Sequence, residues 1–259
     1  MLIDPLIRIL DIIRIFPLLQ GHSLRHQSYA PSAASTHPCL YCEAKIPLLL
    51  KSKLNTISSL LAHHNKWIAE GSKLWDLKKH NNVIHPPILT CNPDQPLHEA
   101  LNIPGLHILL GITDKILTAC EKNLYDSPAE RFDRMNAFLA LLNIKRVCYQ
   151  GSHRLEGNAC NKLLKNVDKL ERFFLEEGKG LQAAKYIQAF RSFDSLVNSC
   201  FGKTLSADYK DRIGQFSKDY RDLNIGISIK FHILEAHVED FIIFKGGIHG
   251  IYLIHLFFQ

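Results

Sequence analysis

The sequence predicts a mainly α-helical protein. Apolar residues recur at helical spacing through long stretches from Leu97 onward, and strand-like alternation is scarce. Start signals also stand where those stretches begin, as in Ser127-Pro-Ala-Glu130, where a capping serine, a proline and a glutamate fall at the cap, first and third positions. A hydrophobic content of 46% with 22% charged residues is that of an ordinary globular chain, which excludes wholesale disorder.

In chain order, Leu54–Glu70 places Leu54, Ile57, Leu60, Leu61, Trp67 and Ile68 on overlapping turns, predicting a first helix. His80–Pro96 holds four prolines and several asparagines and reads as a loop or boundary. Leu106–Leu124 is apolar enough to be buried on most sides. The helix capped by Ser127 is expected to run to about Leu142. Asn158–Glu177 carries Ala159, Leu163, Val167, Leu170 and Phe174 along one stripe, and Asn158 is the expected cap. Ala183–Cys200, Ser206–Leu223 and Ile227–Phe244 repeat the design, the last set off by Gly226. Short strands are allowed for only near Leu6–Ile15 and in the tail. Tyr125, Phe132, Phe138, Phe173, Phe174, Phe190 and Phe193 fall at helical spacings and are expected in the core.

A net charge of +6 is compatible with a polyanionic partner without requiring one. Lys162, Lys165 and Lys169 lie close together in a basic stretch, which suits either a DNA-backbone face or a solvated helix surface. Seven cysteines cannot all pair within one chain; Cys91, Cys120, Cys148, Cys160 and Cys200 are scattered among apolar residues and read as reduced core thiols. The apolar start, Met1–Leu19, is interrupted by charges and prolines, and the apolar tail, Ile248–Phe258, is too short to span a bilayer. Neither a targeting segment nor a membrane span is expected.

Cys39-Leu-Tyr-Cys42 is the sole C-x-x-C. It can be half of a zinc site, a redox pair or coincidence, and the redox reading lacks the strand and helix that normally frame it. A zinc site needs two more ligands. His63 and His64 are adjacent and point apart; His22 and His26 lie in a loop; His232 and His237 are five residues apart. On a regular helix that last spacing puts two side chains about 140° apart, so shared metal binding calls for a helix start or local unwinding near Gly226–Lys230. From spacing alone, ligands and ordinary half-buried histidines both remain open.

The order of several landmarks resembles the catalytic core of the V(D)J recombinase and the related Transib-type cut-and-paste transposases, and more closely a group of mobile-element proteins of invertebrate genomes. These are His37-Pro-Cys-Leu-Tyr-Cys-Glu-Ala44, Asn65-Lys-Trp67, Leu106-His-Ile-Leu-Leu-Gly-Ile-Thr-Asp114, Tyr149-Gln-Gly151, Leu155-Glu-Gly-Asn-Ala-Cys-Asn-Lys-Leu-Leu164 and Lys230-Phe-His-Ile-Leu-Glu-Ala-His-Val-Glu-Asp-Phe241. The resemblance implies one structural zinc held by Cys39, Cys42, His232 and His237 in a helical insertion of an RNase H-like fold. Residues 1–19 would then be a remnant of that core, with at most a short β element. Residues 20–90 would be the cysteine-bearing zinc subdomain, 91–247 the helical histidine-bearing one, and 248–259 a divergent apolar tail.

Enzymes of this family use three carboxylates to hold two divalent ions for phosphodiester attack. Here the first carboxylate would precede Met1, Asp11 is the best match to the second, and no carboxylate follows Gly246-Gly247. The expectation is a truncated, transposon-derived protein of the nucleus with a structural zinc, residual DNA binding and no strand-transfer activity; Mg²⁺ would serve only an active form. Self-association through the apolar ends is a further expectation. A metal-free helical interaction module is the alternative.

Overall fold

A computed structural model describes residues 36–244, apart from 88–91, 102, 104, 150, 151, 202 and 203. Asp11, the apolar ends, Cys91 and the segments where short strands were allowed for lie outside the described residues. Within them the chain is mainly helical and divides into two compact units. The first is discontinuous: residues 36–104 are completed by 227–244. The second is residues 105–226. No described helix is long and apolar enough to cross a membrane.

In the first unit, α1 (Ile57–Ala69) starts at Thr56, whose hydroxyl accepts from Ser59 N–H while Ser59 Oγ accepts from Thr56 N–H, a reciprocal capping box. A 3-10 turn (Leu74–His80) packs back on α1 and ends at Asn81 and Asn82, both left-handed. A single turn, α2 (Leu97–Ala100), packs on the closing helix. That helix, which the second unit separates from α2 in sequence, is apolar on nearly every side and buries Phe231, Ile233, Leu234, Val238, Phe241 and Ile242.

The second unit comprises α3 (Gly105–Leu124), α4 (Pro128–Leu141), a hairpin of β1 (Val147–Tyr149) and β2 (Ser152–Arg154), α5 (Gly157–Leu164), α6 (Val167–Glu176), α7 (Gly180–Cys200) and α8 (Tyr209–Asp222). The closing helix of the first unit is α9 (Ile229–Phe244). α7 is the hub, packing on α3, α5, α6 and α8 around Phe190, Phe193, Phe216 and Phe174, all fully buried. Ser127 caps α4 as expected, accepting from Glu130 N–H at 3.1 Å.

Four expectations are corrected. The predicted helix 158–177 is two helices, because the chain breaks at Lys165–Asn166, where Asn166 Nδ2 donates to Lys162 O at 2.7 Å. Its cap position is Glu156 rather than Asn158, which lies inside the first turn. The two-stranded antiparallel hairpin, paired Val147↔Arg154 and Cys148↔His153, sits outside the segments where short strands were allowed for. Phe132 is 36% exposed, beside His153 and Arg146, and is not core. α6 ends at Gly178, left-handed at φ 70°, with Lys179 N–H closing on Phe174 O, the wrap that favours glycine at this position.

Candidate metal centre

The Cys39–Cys42 turn is fixed by its neighbours. Asn55, itself buried, donates Nδ2–H to Leu40 O at 3.0 Å, and its backbone N–H donates to Tyr41 O at 2.9 Å. An isolated antiparallel bridge, Cys42↔Leu54, closes the loop behind the turn. The amide of Tyr41 points at Cys39 Sγ at 3.4 Å, and the amide of Cys42 also donates to it. Backbone N–H groups aimed at a sulfur favour its thiolate. No helix begins at the pair, so the framing that activates a redox C-x-x-C is missing.

His232 and His237 approach the pair from α9. Cys42 Sγ lies 3.4 Å from His232 Nε2, and Cys39 Sγ lies 3.4 Å from His237 Nε2. These contacts span 190 and 198 residues. All four ligand atoms fall within 4.8 Å of one another, and each residue is 0–1% exposed. Zn–S bonds of about 2.3 Å and Zn–N bonds of about 2.0–2.1 Å in a tetrahedron require S–N separations of about 3.5 Å, close to those observed. Among the described residues this is the one group of His, Cys, Asp or Glu placed to hold a metal ion.

Of the helix start or local unwinding called for near Gly226–Lys230, the structure shows the start, since α9 begins at Ile229. His232 N–H bonds to Ser228 O at 2.9 Å, and α9 runs unbroken through both histidines. The rings converge because an imidazole is long. Five residues advance about 7.5 Å and turn about 140°. Both side chains lean into that gap and present Nε2, with ring centroids 5.2 Å apart and planes at 82°.

The supporting groups set the chemistry of each ligand. His232 Nδ1 lies 2.6 Å from Leu49 O, an atom that only accepts, so Nδ1 carries a proton and Nε2 is the nitrogen turned to Cys42. His237 packs on Tyr41, with centroids 5.5 Å apart, and its Nδ1 has no hydrogen-bond partner among the described residues. Without a metal, burial pushes the Cys39 thiol up. The hydrogen bond from Cys39, joined by His232 and His237, holds Cys42 well below the usual thiol range. Cys39 then keeps the proton that a divalent cation would displace.

The remaining candidates lie elsewhere. Lys162, Lys165 and Lys169 are exposed on α5, the break and α6. His63 meets Asn81 at 2.9 Å and Glu43 at 3.5 Å, and His64 packs near Trp67. The sequence reading missed Asn55, Leu49, Lys51 and Asp240, which support the site. Leu49 acts through a backbone carbonyl, which leaves no mark in a sequence.

Cys120, Cys160 and Cys200 are buried, with burial raising the Cys160 thiol to about 12 and that of Cys200 to about 11, whereas Cys148 is exposed on β1. A thiol reagent applied to the native protein is therefore expected to label Cys148 rapidly and those three only on unfolding. Mass-spectrometric mapping over time checks this; early labelling of Cys160 or Cys200 would contradict the packing of the second unit.

Fold and site together define a mainly helical protein with a buried two-cysteine, two-histidine group that could hold a metal ion. The sequence matches no protein-family model, and no curated protein is similar to it.

Proposed function

We propose that this chain is a transposon-derived helical protein in which Cys39, Cys42, His232 and His237 hold a structural zinc ion. The convergence of four ligand atoms from two segments about 190 residues apart carries this reading. Two sulfurs and two imidazole nitrogens are a donor set that favours zinc. Four buried protein ligands leave no open position for a substrate or water, which makes the role structural. Bound zinc supplies a cross-link between the two ends of the intervening chain, and clips closing long loops restrict the unfolded state most. The same residue pairing is what the resemblance to Transib-type transposases implies, which supports that origin. Strand-transfer activity is not part of the proposal, because residues 248–259 hold no carboxylate where that family places its last one. Residual DNA affinity would run through the exposed Lys162, Lys165 and Lys169.

Metal analysis of the purified full chain tests the reading, with about one zinc per chain expected. A chain without zinc, with a melting curve unmoved by chelator, would return it to the class of metal-free helical interaction modules. For DNA, the salt slope of binding is expected to fall when the three lysines are replaced by glutamate. An unchanged slope removes DNA from the proposal and leaves the zinc intact.

A further inference from the structure

Between Cys42 and Leu54 the chain makes an excursion that the four ligands alone do not require. Its base is closed where Glu43 N–H donates to Lys53 O at 2.9 Å. It turns at residues 46–48, with Leu49 N–H donating to Lys45 O at 2.9 Å and Ile46 N–H to Thr36 O at 2.8 Å. The returning limb is then pinned to α9 at two points. Leu49 O accepts His232 Nδ1–H at 2.6 Å, and Lys51 Nζ pairs with Asp240 at 2.6 Å. On a helix, Asp240 lies about 80° round from His232 and about 60° from His237, so it shares the ligand face and sits just beyond the site.

Leu49 is left-handed at φ 45°, a conformation unfavourable for a residue with a Cβ. Its offsets are a side chain buried to 3% exposure and the bond from its carbonyl to His232; Leu48 and Leu50 on either side stay exposed. His98 from α2 is buried and also faces Asp240, His237 and Lys51. Burial lowers its basicity first of all, so the cation paired with Asp240 is Lys51.

We propose that residues 45–51 form a latch on the metal centre, in which Lys51 and Asp240 are positioning residues that set how fast a bound ion leaves. The proposal rests on zinc occupying Cys39, Cys42, His232 and His237. The His232 ring can swing off a metal only when Leu49 O releases Nδ1–H, and the ion pair two residues on holds that carbonyl in place. Lys51 is half exposed and the pair is open to screening, so its effect is a modest one on rate.

The test uses the zinc-loaded full chain and follows transfer of zinc to an excess of chromogenic chelator. Lys51→Ala and Asp240→Asn are each expected to speed release about three- to fivefold, and the double variant no more than either single one. Exchanging the charges, Lys51→Asp with Asp240→Lys, is expected to slow release again, while Lys66→Ala, which removes an exposed charge from α1 outside the latch, leaves it unchanged. Added salt is expected to speed the unaltered protein towards the variants' rate and leave the variants where they are. Cobalt-substituted protein is expected to keep one absorption spectrum throughout, because the four ligands are untouched. About one zinc per chain released at equal rates from all variants would overturn the latch alone. A chain that binds no zinc overturns the zinc reading and the latch with it.

Discussion

With zinc held as proposed, replacing His232 by alanine is expected to empty the metal centre and melt the first unit at temperatures where the second unit keeps its helices. Structural zinc in small domains contributes about 10–16 kcal/mol of apparent binding free energy, as much as the entire net stability of most domains, about 5–15 kcal/mol. The first unit is short of alternatives. Among the described residues its regular elements are α1, a 3-10 turn, the single turn α2 and α9, and the last is joined to the others only through tertiary contacts. His237→Ala is expected to lose the metal as well, but to be milder. Removing His232 also strips the donor from Leu49 O, and an unsatisfied buried acceptor costs about 1–3 kcal/mol, whereas His237 Nδ1 has no such partner to abandon. Hydrogen exchange read residue by residue gives the decisive measurement. Amides of α9 should lose protection in both variants and on chelation, while amides of α7 keep theirs. Equal protection of α9 with and without chelator would mean that packing alone holds the unit.

The histidine pair shows how much of the site was legible in the sequence, and where legibility ended. Helix positions were readable because apolar stripes and caps are local: Ser127 announced α4, and Gly226 preceded α9. Angular spacing argued against His232 and His237, since a helical wheel fixes Cα directions but not the reach of an imidazole along the axis. Bringing this pair to Cys39 and Cys42 is a tertiary event across about 190 residues, and only the order of family-like landmarks hinted at it. Other features had no local signature. Strands of three residues are too short to show alternation, and a two-residue break at Lys165–Asn166 leaves the apolar stripe intact. A first unit completed by residues 227–244 cannot be seen in a chain read from one end to the other.

In the second unit, Arg146→Met is expected to cost about 3–5 kcal/mol at neutral pH, the usual price of leaving one member of a buried ion pair alone. Arg146 and Glu121 hydrogen-bond to each other with only 10% of each side chain exposed, and the face of Phe132 lies 5.9 Å from the guanidinium. Burial raises the Glu121 carboxyl above its ordinary range, and Arg146 pulls it part of the way back. Because the folded value is the raised one, Glu121's proton-linked contribution to stability is fully present below its unfolded pKa, about 4.3, and is lost as pH rises through the folded value. Without Arg146 the folded value rises further, so the variant's deficit should shrink as pH is lowered from 7 towards 5, where Glu121 can take up a proton instead of remaining a buried, unpaired anion. Adding Glu121→Leu to Arg146→Met should recover most of the loss at neutral pH, because apolar groups of similar volume replace both charges and neither is left to be desolvated alone. Denaturant melts of the two variants at pH 5 and pH 7 separate the outcomes. A loss of equal size at both pH values, unrelieved by the second substitution, would assign the cost to lost packing around the Arg146 stem and not to the stranded carboxylate.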